Sequence, residues 1–182
     1  MTVDFECTRC GKCCSTLRGP MLGQIHGLTI MPEERHLFPP MIIKPMFRFR
    51  KRAKHRPGEV FMYQVDVEEC PHHVDNGCQI YEDRPQICRA FPFELQGERV
   101  AIHESCPEIE RLRKANATFN VPQFYQKGAI IIHNYYSNTL YRTPDIERFD
   151  LKSGRWRGML DGMTSEHMKL LEVVEPVVKL RT

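Results

Sequence analysis

The residues able to do chemistry in this 182-residue chain are eight cysteines: Cys7, Cys10, Cys13, Cys14, Cys70, Cys78, Cys88 and Cys106. The first four form the stretch CTRCGKCC, a C-x2-C-x2-C step followed by a doubled cysteine. Such a step lets a loop wrap a compact metal centre. Each thiolate arrives from a new direction while the intervening amides donate to sulfur. Ferredoxin-type cubane clusters use this run and take a fourth ligand from a distant cysteine, often one followed by proline. Cys70-Pro71 and Cys106-Pro107 both meet that description. Zinc also accepts C-x2-C, but usually closes its tetrahedron with a second such pair, and none follows here. All eight thiols are therefore read as metal ligands, with iron–sulfur, as a 4Fe–4S cubane, preferred over zinc. Adjacent residues of an extended loop point to opposite sides. The expected partition sets Cys7, Cys10 and Cys13 on one centre, completed by Cys70 or Cys106. Cys14 turns to a second group drawn from Cys78, Cys88 and the other Cys-Pro cysteine.

CTRCGKCC at 7–14, CPHHVDNGCQIYEDRPQICRAFPF at 70–93 and the closing CP at 106–107 together resemble the YkgJ-type cysteine-cluster family. Its hallmark is C-x2-C-x2-C-C followed by C-x-I-Y-x-x-R-P-x-x-C-R-x-F-P. The resemblance spans roughly Phe5 to Pro107 and implies a zinc- or iron-chelating domain. The motif is shared with flagellin lysine methylases. The resemblance names a metal site rather than a reaction, and it reaches neither the basic run at 44–56 nor the chain after Pro107.

Four thiolates around a divalent zinc, or around a cubane core of equal charge, leave about −2. Arg84 and Arg89, held in the R-P-x-x-C-R frame, are the expected counter-charges behind the ligands, because proline restricts the backbone that carries them. Arg9 and Lys12 are as readily solvated. His72, His73 and His103 lie close enough in sequence to ligate, yet eight thiols make them unnecessary. Phe91 and Phe93 are expected in the core, where they would also shield the centre.

The elements that must position these residues read as a small irregular α+β domain with short strands and a helical C-terminal portion. Residues 1–110 form the cysteine-cluster unit and 111–182 a helical packing and interaction region of the same domain. Strands are expected at Gly27 to Ile30, Glu59 to Glu68 and Glu98 to Glu104, with a tight turn at Asn76-Gly77. A short helix starts at Pro32, with two acids at its positive end. Helices are also expected over 107–116, from Pro122 with Phe124, Gly128, Ile131, Ile132, Tyr135 and Thr139 along one face, and over 165–174 with Thr164 as N-cap and Pro176 beyond. Tyr135, Tyr136 and Tyr141 belong to helix packing.

The net charge is +3, but Lys44 to Arg56 holds seven of the 26 Lys and Arg residues and no acid. Without it 19 basic residues face 23 acidic ones. This segment reads as a loop or extended arm. Phe47 and Phe49 between the cations would suit stacking on nucleic-acid bases, but the acidic remainder favours other protein subunits as partners. The apolar runs Val60 to Tyr63 and Ala129 to Ile132 are far shorter than the roughly 20 residues of a membrane span, and MTVDFEC lacks a secretory signal's basic and apolar regions. The expected compartment is the cytoplasm, where disulfides are rare. No phosphate loop, dinucleotide fingerprint, S-adenosylmethionine site or nucleophilic triad is readable, so catalytic residues are unknown. Three functions remain open: an accessory, redox or metallocofactor-maturation subunit carrying an iron–sulfur cluster; a zinc-stabilised module docking through its basic arm; and a protein-modifying, methylase-like enzyme.

Overall fold

A computed structural model describes residues 2–21, 24–54, 56–75, 77–96, 99–103, 105–139, 145–158 and 161. The fold is α+β, with short strands and helices. It divides into two compact units. One, here the sheet unit, comprises Thr16–Cys70 and the described residues from 136 onward. The other, the thiol unit, comprises residues 2–15 and Pro71–Tyr135.

The sheet unit is built on five strands in the order Arg155–Gly158, Ile146–Asp150, Ile43–Phe49, Val60–Val65, Leu28–Ile30, every neighbour antiparallel. The expected strands at 27–30 and 59–68 are present within these bounds. The first part of the run expected to be a loop or extended arm, Lys44 to Phe49, instead belongs to the central strand, Ile43–Phe49. Its apolar residues account for this: Met46 and Phe47 are buried, and Phe47 and Phe49 pack on Phe61 with ring centroids 6.2 and 4.8 Å away. Those aromatic rings are thus engaged in packing. Pro45 cannot donate to a ladder and belongs at an irregularity, and the register shifts between Pro45 and Phe47. The hairpin of Ile146–Asp150 and Arg155–Gly158 carries no local signal named above.

Buried polar groups fix this sheet because each finds partners. Gln64, fully buried, accepts from the Gly27 amide at 2.9 Å and donates to the carbonyls of Pro45 at 2.8 Å and Phe149 at 3.1 Å. Gly27 must lack a side chain there, since a Cβ would stand 1.9 Å from the Val65 carbonyl oxygen. Asp150 accepts from the amides of Ile25, Lys152 and Ser153 at 3.0, 3.3 and 3.1 Å and from the Ser153 hydroxyl at 2.5 Å. Those bonds outweigh burial and hold its carboxyl below the usual carboxylate range. A buried carboxylate needs such a set of donors to remain charged.

The thiol unit has less regular structure around an aromatic centre. Thr2–Asp4 pairs in parallel with Thr118–Asn120, and Phe93–Gln96 with Arg99–Ile102 as a hairpin, the latter strand within the expected 98–104. Three helices follow the pattern of prolines: α1, Gln86–Ala90; α2, Pro107–Lys114; and α3, Gln123–Thr139. In α2, Pro107 opens the first turn, Glu108 and Glu110 sit at its positive end, and Arg111, Arg113 and Lys114 close it, the arrangement the helix dipole favours. Phe5 sits at the middle of the core, edge-on to Phe93 at 5.0 Å and Tyr125 at 5.2 Å. Ile109, Leu112, Val100, Val121 and Cys106 complete it.

The buried face of α3 differs from the one expected. Tyr125, Gly128, Ala129 and Ile132 point inward, whereas Phe124 and Ile131 are exposed. Gly128 is required by close packing: a Cβ would lie 2.9 Å from the Ala90 amide nitrogen of α1. The helix expected over 165–174, with Thr164 and Pro176, lies outside the described residues, as do Asn76, Glu98, Glu104 and Tyr141, and the Tyr136 side chain.

Candidate metal centre

The cysteine loop is shaped by two residues in the left-handed backbone region, Arg9 with φ 56° and Gly11 with φ 71°. Gly11 starts a single 3-10 turn, Lys12–Cys14, and its carbonyl accepts from the amides of Cys14 at 2.8 Å and Ser15 at 3.1 Å. The reversal at Arg9 aims its amide back at Cys7 Sγ, 3.4 Å away. That is the amide-to-sulfur bond expected of a thiolate loop.

Seven cysteines belong to the thiol unit; Cys70 closes the sheet unit, packed beside the Ile30, Phe38 and Val65 cluster. Cys7, Cys10 and Cys13 are exposed, Cys14, Cys70, Cys78 and Cys88 half-buried and Cys106 buried. Cys106 is the N-cap residue of α2. Burial pushes its thiol up, the amides of Ile109 and Glu108 pull it down, and the nearby thiolates of Cys10 and Cys7 push it up again. Cys7, Cys10 and Cys106 thus share one neighbourhood. Cys78 stands opposite His73 in the two-residue ladder of His73–Val74 and Gly77–Cys78. Cys88 lies on α1.

Cys13 and Cys14 do not diverge. Their sulfurs lie 3.9 Å apart, because the backbone at 12–14 is a 3-10 turn rather than an extended loop. Successive side chains of such a turn are about 120° apart, so neighbouring sulfurs can approach.

The arginines hold the segment between Cys78 and Cys88. Arg89 donates from Nε to the Arg84 carbonyl at 2.9 Å and from its guanidinium to the Glu82 carbonyl, tying α1 to the turn before it. Arg84, almost fully buried, donates to the Tyr81 carbonyl at 3.2 Å and lies 3.7 Å from the Tyr81 ring centroid and 4.9 Å from that of Phe124. Arg9 covers the same Tyr81 ring at 4.1 Å. His103 pairs with Glu94 at 3.6 Å and stacks on Phe91, while Phe93 is in the core.

Two tyrosines not singled out from sequence belong to this region. Tyr125 hydrogen-bonds Tyr81. Burial first, then Tyr81 and the Cys7 thiolate, push the Tyr125 phenol strongly up, and Arg84 opposes them. Cys7 and the Arg84 cation therefore act on one hydroxyl. Tyr81 was visible in the I-Y-x-x-R-P frame; Tyr125 required the helix face to be placed one residue differently.

The donors fit a soft metal. Thiolates select zinc or iron–sulfur centres over hard cations, and the core behind Cys106 keeps water from one side. Among the described residues no three His, Cys, Asp or Glu side chains are already gathered closely enough to hold one ion. Among them also no helix is long and apolar enough to cross a membrane.

Comparison with known proteins agrees with the thiol pattern. No curated protein and no solved structure matches the chain. A family model, CxxCxxCC, described as "Putative zinc- or iron-chelating domain", matches residues 6–107. The match covers more than half of the chain and spans all eight cysteines. The chain belongs to the CxxCxxCC family of zinc- or iron-chelating domains.

Proposed function

We propose that this protein carries an iron–sulfur cluster, a 4Fe–4S cubane, on the thiols of its Cys7–Cys14 loop and their partners, as an accessory subunit in electron transfer or metallocofactor maturation. The observation that carries this reading is the ferredoxin-type C-x2-C-x2-C step of Cys7, Cys10 and Cys13, set in one compact unit with four further cysteines. When bound, such a cluster supplies one-electron chemistry. The chain's own residues do the rest. The Arg9 amide donates to Cys7 Sγ. Arg84 places a buried positive charge near the Tyr125 hydroxyl, on which Cys7 also acts. Phe5 and its aromatic neighbours exclude water behind Cys106.

A partner subunit is met through the basic segment. Lys51, Arg52 and Lys54 are exposed on the connection after the central strand. Arg48, by contrast, is engaged with Glu147 at 2.7 Å and with the Trp156 ring at 4.1 Å.

Zinc is the second reading, favoured by Cys13 and Cys14. Four sulfurs at about 2.3 Å from a tetrahedral zinc lie roughly 3.8 Å from one another, close to the 3.9 Å between these two. A cubane places its thiolates on separate irons. Protein purified without oxygen distinguishes the two. A brown protein containing iron and acid-labile sulfide, with a paramagnetic signal on one-electron reduction, is expected. A colourless protein holding zinc alone overturns the iron–sulfur assignment.

A further inference from the structure

At His73, a buried polar atom without a hydrogen-bond partner meets the cysteine loop. Its Nε2 is enclosed and makes no hydrogen bond. An imidazole nitrogen carries either a proton to donate or a lone pair to offer, and a buried polar atom left unsatisfied calls for an explanation such as a bound ion.

The position of that nitrogen supplies one. It fills the space beside Gly11, where an added Cβ would stand 2.1 Å from Nε2 and 2.6 Å from Cε1. Gly11 is buried and separates Cys10 from the Lys12–Cys14 turn. His73 also stands opposite Cys78 in its ladder. The ring therefore lies against the cysteine loop from a strand whose paired neighbour carries a thiol. Gly11 serves two purposes, allowing the left-handed turn and admitting the imidazole.

We propose that His73 is a metal ligand through Nε2, joining the thiols of the Cys7–Cys14 loop in a mixed sulfur and nitrogen donor set. The inference rests on the metal-binding reading above and deepens it. Imidazole suits zinc and iron alike. Replacing a thiolate by a neutral imidazole removes one negative charge and, on an iron–sulfur centre, raises the reduction potential, as histidine ligation does in Rieske centres.

The test uses the full-length protein, isolated without oxygen after labelling its histidines with 15N. Pulsed electron paramagnetic resonance reads nitrogen coupling to the reduced cluster; for a zinc protein, cobalt(II) replaces the metal as the probe. A histidine nitrogen coupling is expected in the unmodified protein and lost in His73→Phe. That variant should also surrender metal to a chelator at least about tenfold faster, and His73→Cys should restore retention. A metal-bearing protein with sulfur ligands only, or a coupling that persists in His73→Phe, overturns the His73 assignment and leaves metal binding intact. A protein with no metal overturns both. The measurement on unmodified protein stands even if His73→Phe fails to fold.

Discussion

The sheet unit and the thiol unit solve the problem of a small core differently. In the sheet unit, five strands supply a continuous ladder, and buried polar groups such as Gln64 and Asp150 are satisfied by several partners each. Among the described residues the thiol unit has two-stranded pairings, α1, α2 and α3, and an aromatic core at Phe5, and it leaves Cys7, Cys10 and Cys13 exposed. From the comparison we infer that one unit is held by its own side chains, whereas the other would draw part of its folding energy from a bound metal.

The largest expected effect breaks the comparison open. Structural zinc binding is worth about 10–16 kcal/mol, as much as the roughly 5–15 kcal/mol stability of a whole domain. On removal of metal, hydrogen exchange resolved by segment should lose protection in α2 and in Phe93–Gln96. Val60–Val65 should keep it. Equal loss in both units would refute the contrast.

The second effect belongs to the sheet unit. Asp150→Ala removes a carboxylate that accepts four hydrogen bonds and faces Arg157 at 3.6 Å and the buried Arg148. A destabilisation of about 3–5 kcal/mol is expected, as for breaking a buried charge pair, with metal content unchanged. The pH dependence has a definite sign. Because the folded carboxyl is held below its unfolded value, its contribution is complete above the unfolded value. It is lost as pH falls through the folded one. Urea titrations of the wild type between neutral and acidic pH should show stability falling toward acid, and Asp150→Ala should flatten that fall.

Arg48→Ala is the intermediate case. It removes a charge-assisted pair with Glu147 and a contact over Trp156, for a cost of about 1–2 kcal/mol read from the urea midpoint. The smallest effect on stability comes from Lys51→Glu with Arg52→Glu, which should shift it by less than about 0.5 kcal/mol. If the segment docks a partner subunit, that double variant should still abolish co-purification. A midpoint shift of several kcal/mol would assign these two cations to the fold instead.

How far the sequence was legible follows from how local each signal is. The strands at Leu28–Ile30 and Val60–Val65 and the start of α2 at Pro107 are written in alternation and in a single proline. The strand at Ile43–Phe49 was hidden by its charges, because what captures Arg48 is Glu147 and Trp156, about a hundred residues away. No local window contains them. The face of α3 was misplaced because Phe124, an apolar residue, lies instead over the guanidinium groups of Arg84 and Arg89. At the candidate site the thiols were legible from spacing alone. The proximity of Cys13 and Cys14 was not, since it depends on a turn set by Gly11. Nor was the place of His73, which shows only once the space beside Gly11 is known.

The central claim is that the thiol unit's cysteines hold a metal. Its most direct test is a map of alkylation rates for each thiol in protein isolated without oxygen, before and after chelation. Cys7, Cys10 and Cys13 are exposed in the fold, so as unligated thiols they would be among the first to react. The account predicts that they react slowly in the isolated protein and rapidly once the metal is removed, with metal released in proportion. Immediate alkylation of all three in the isolated protein, unchanged by chelation, would contradict it.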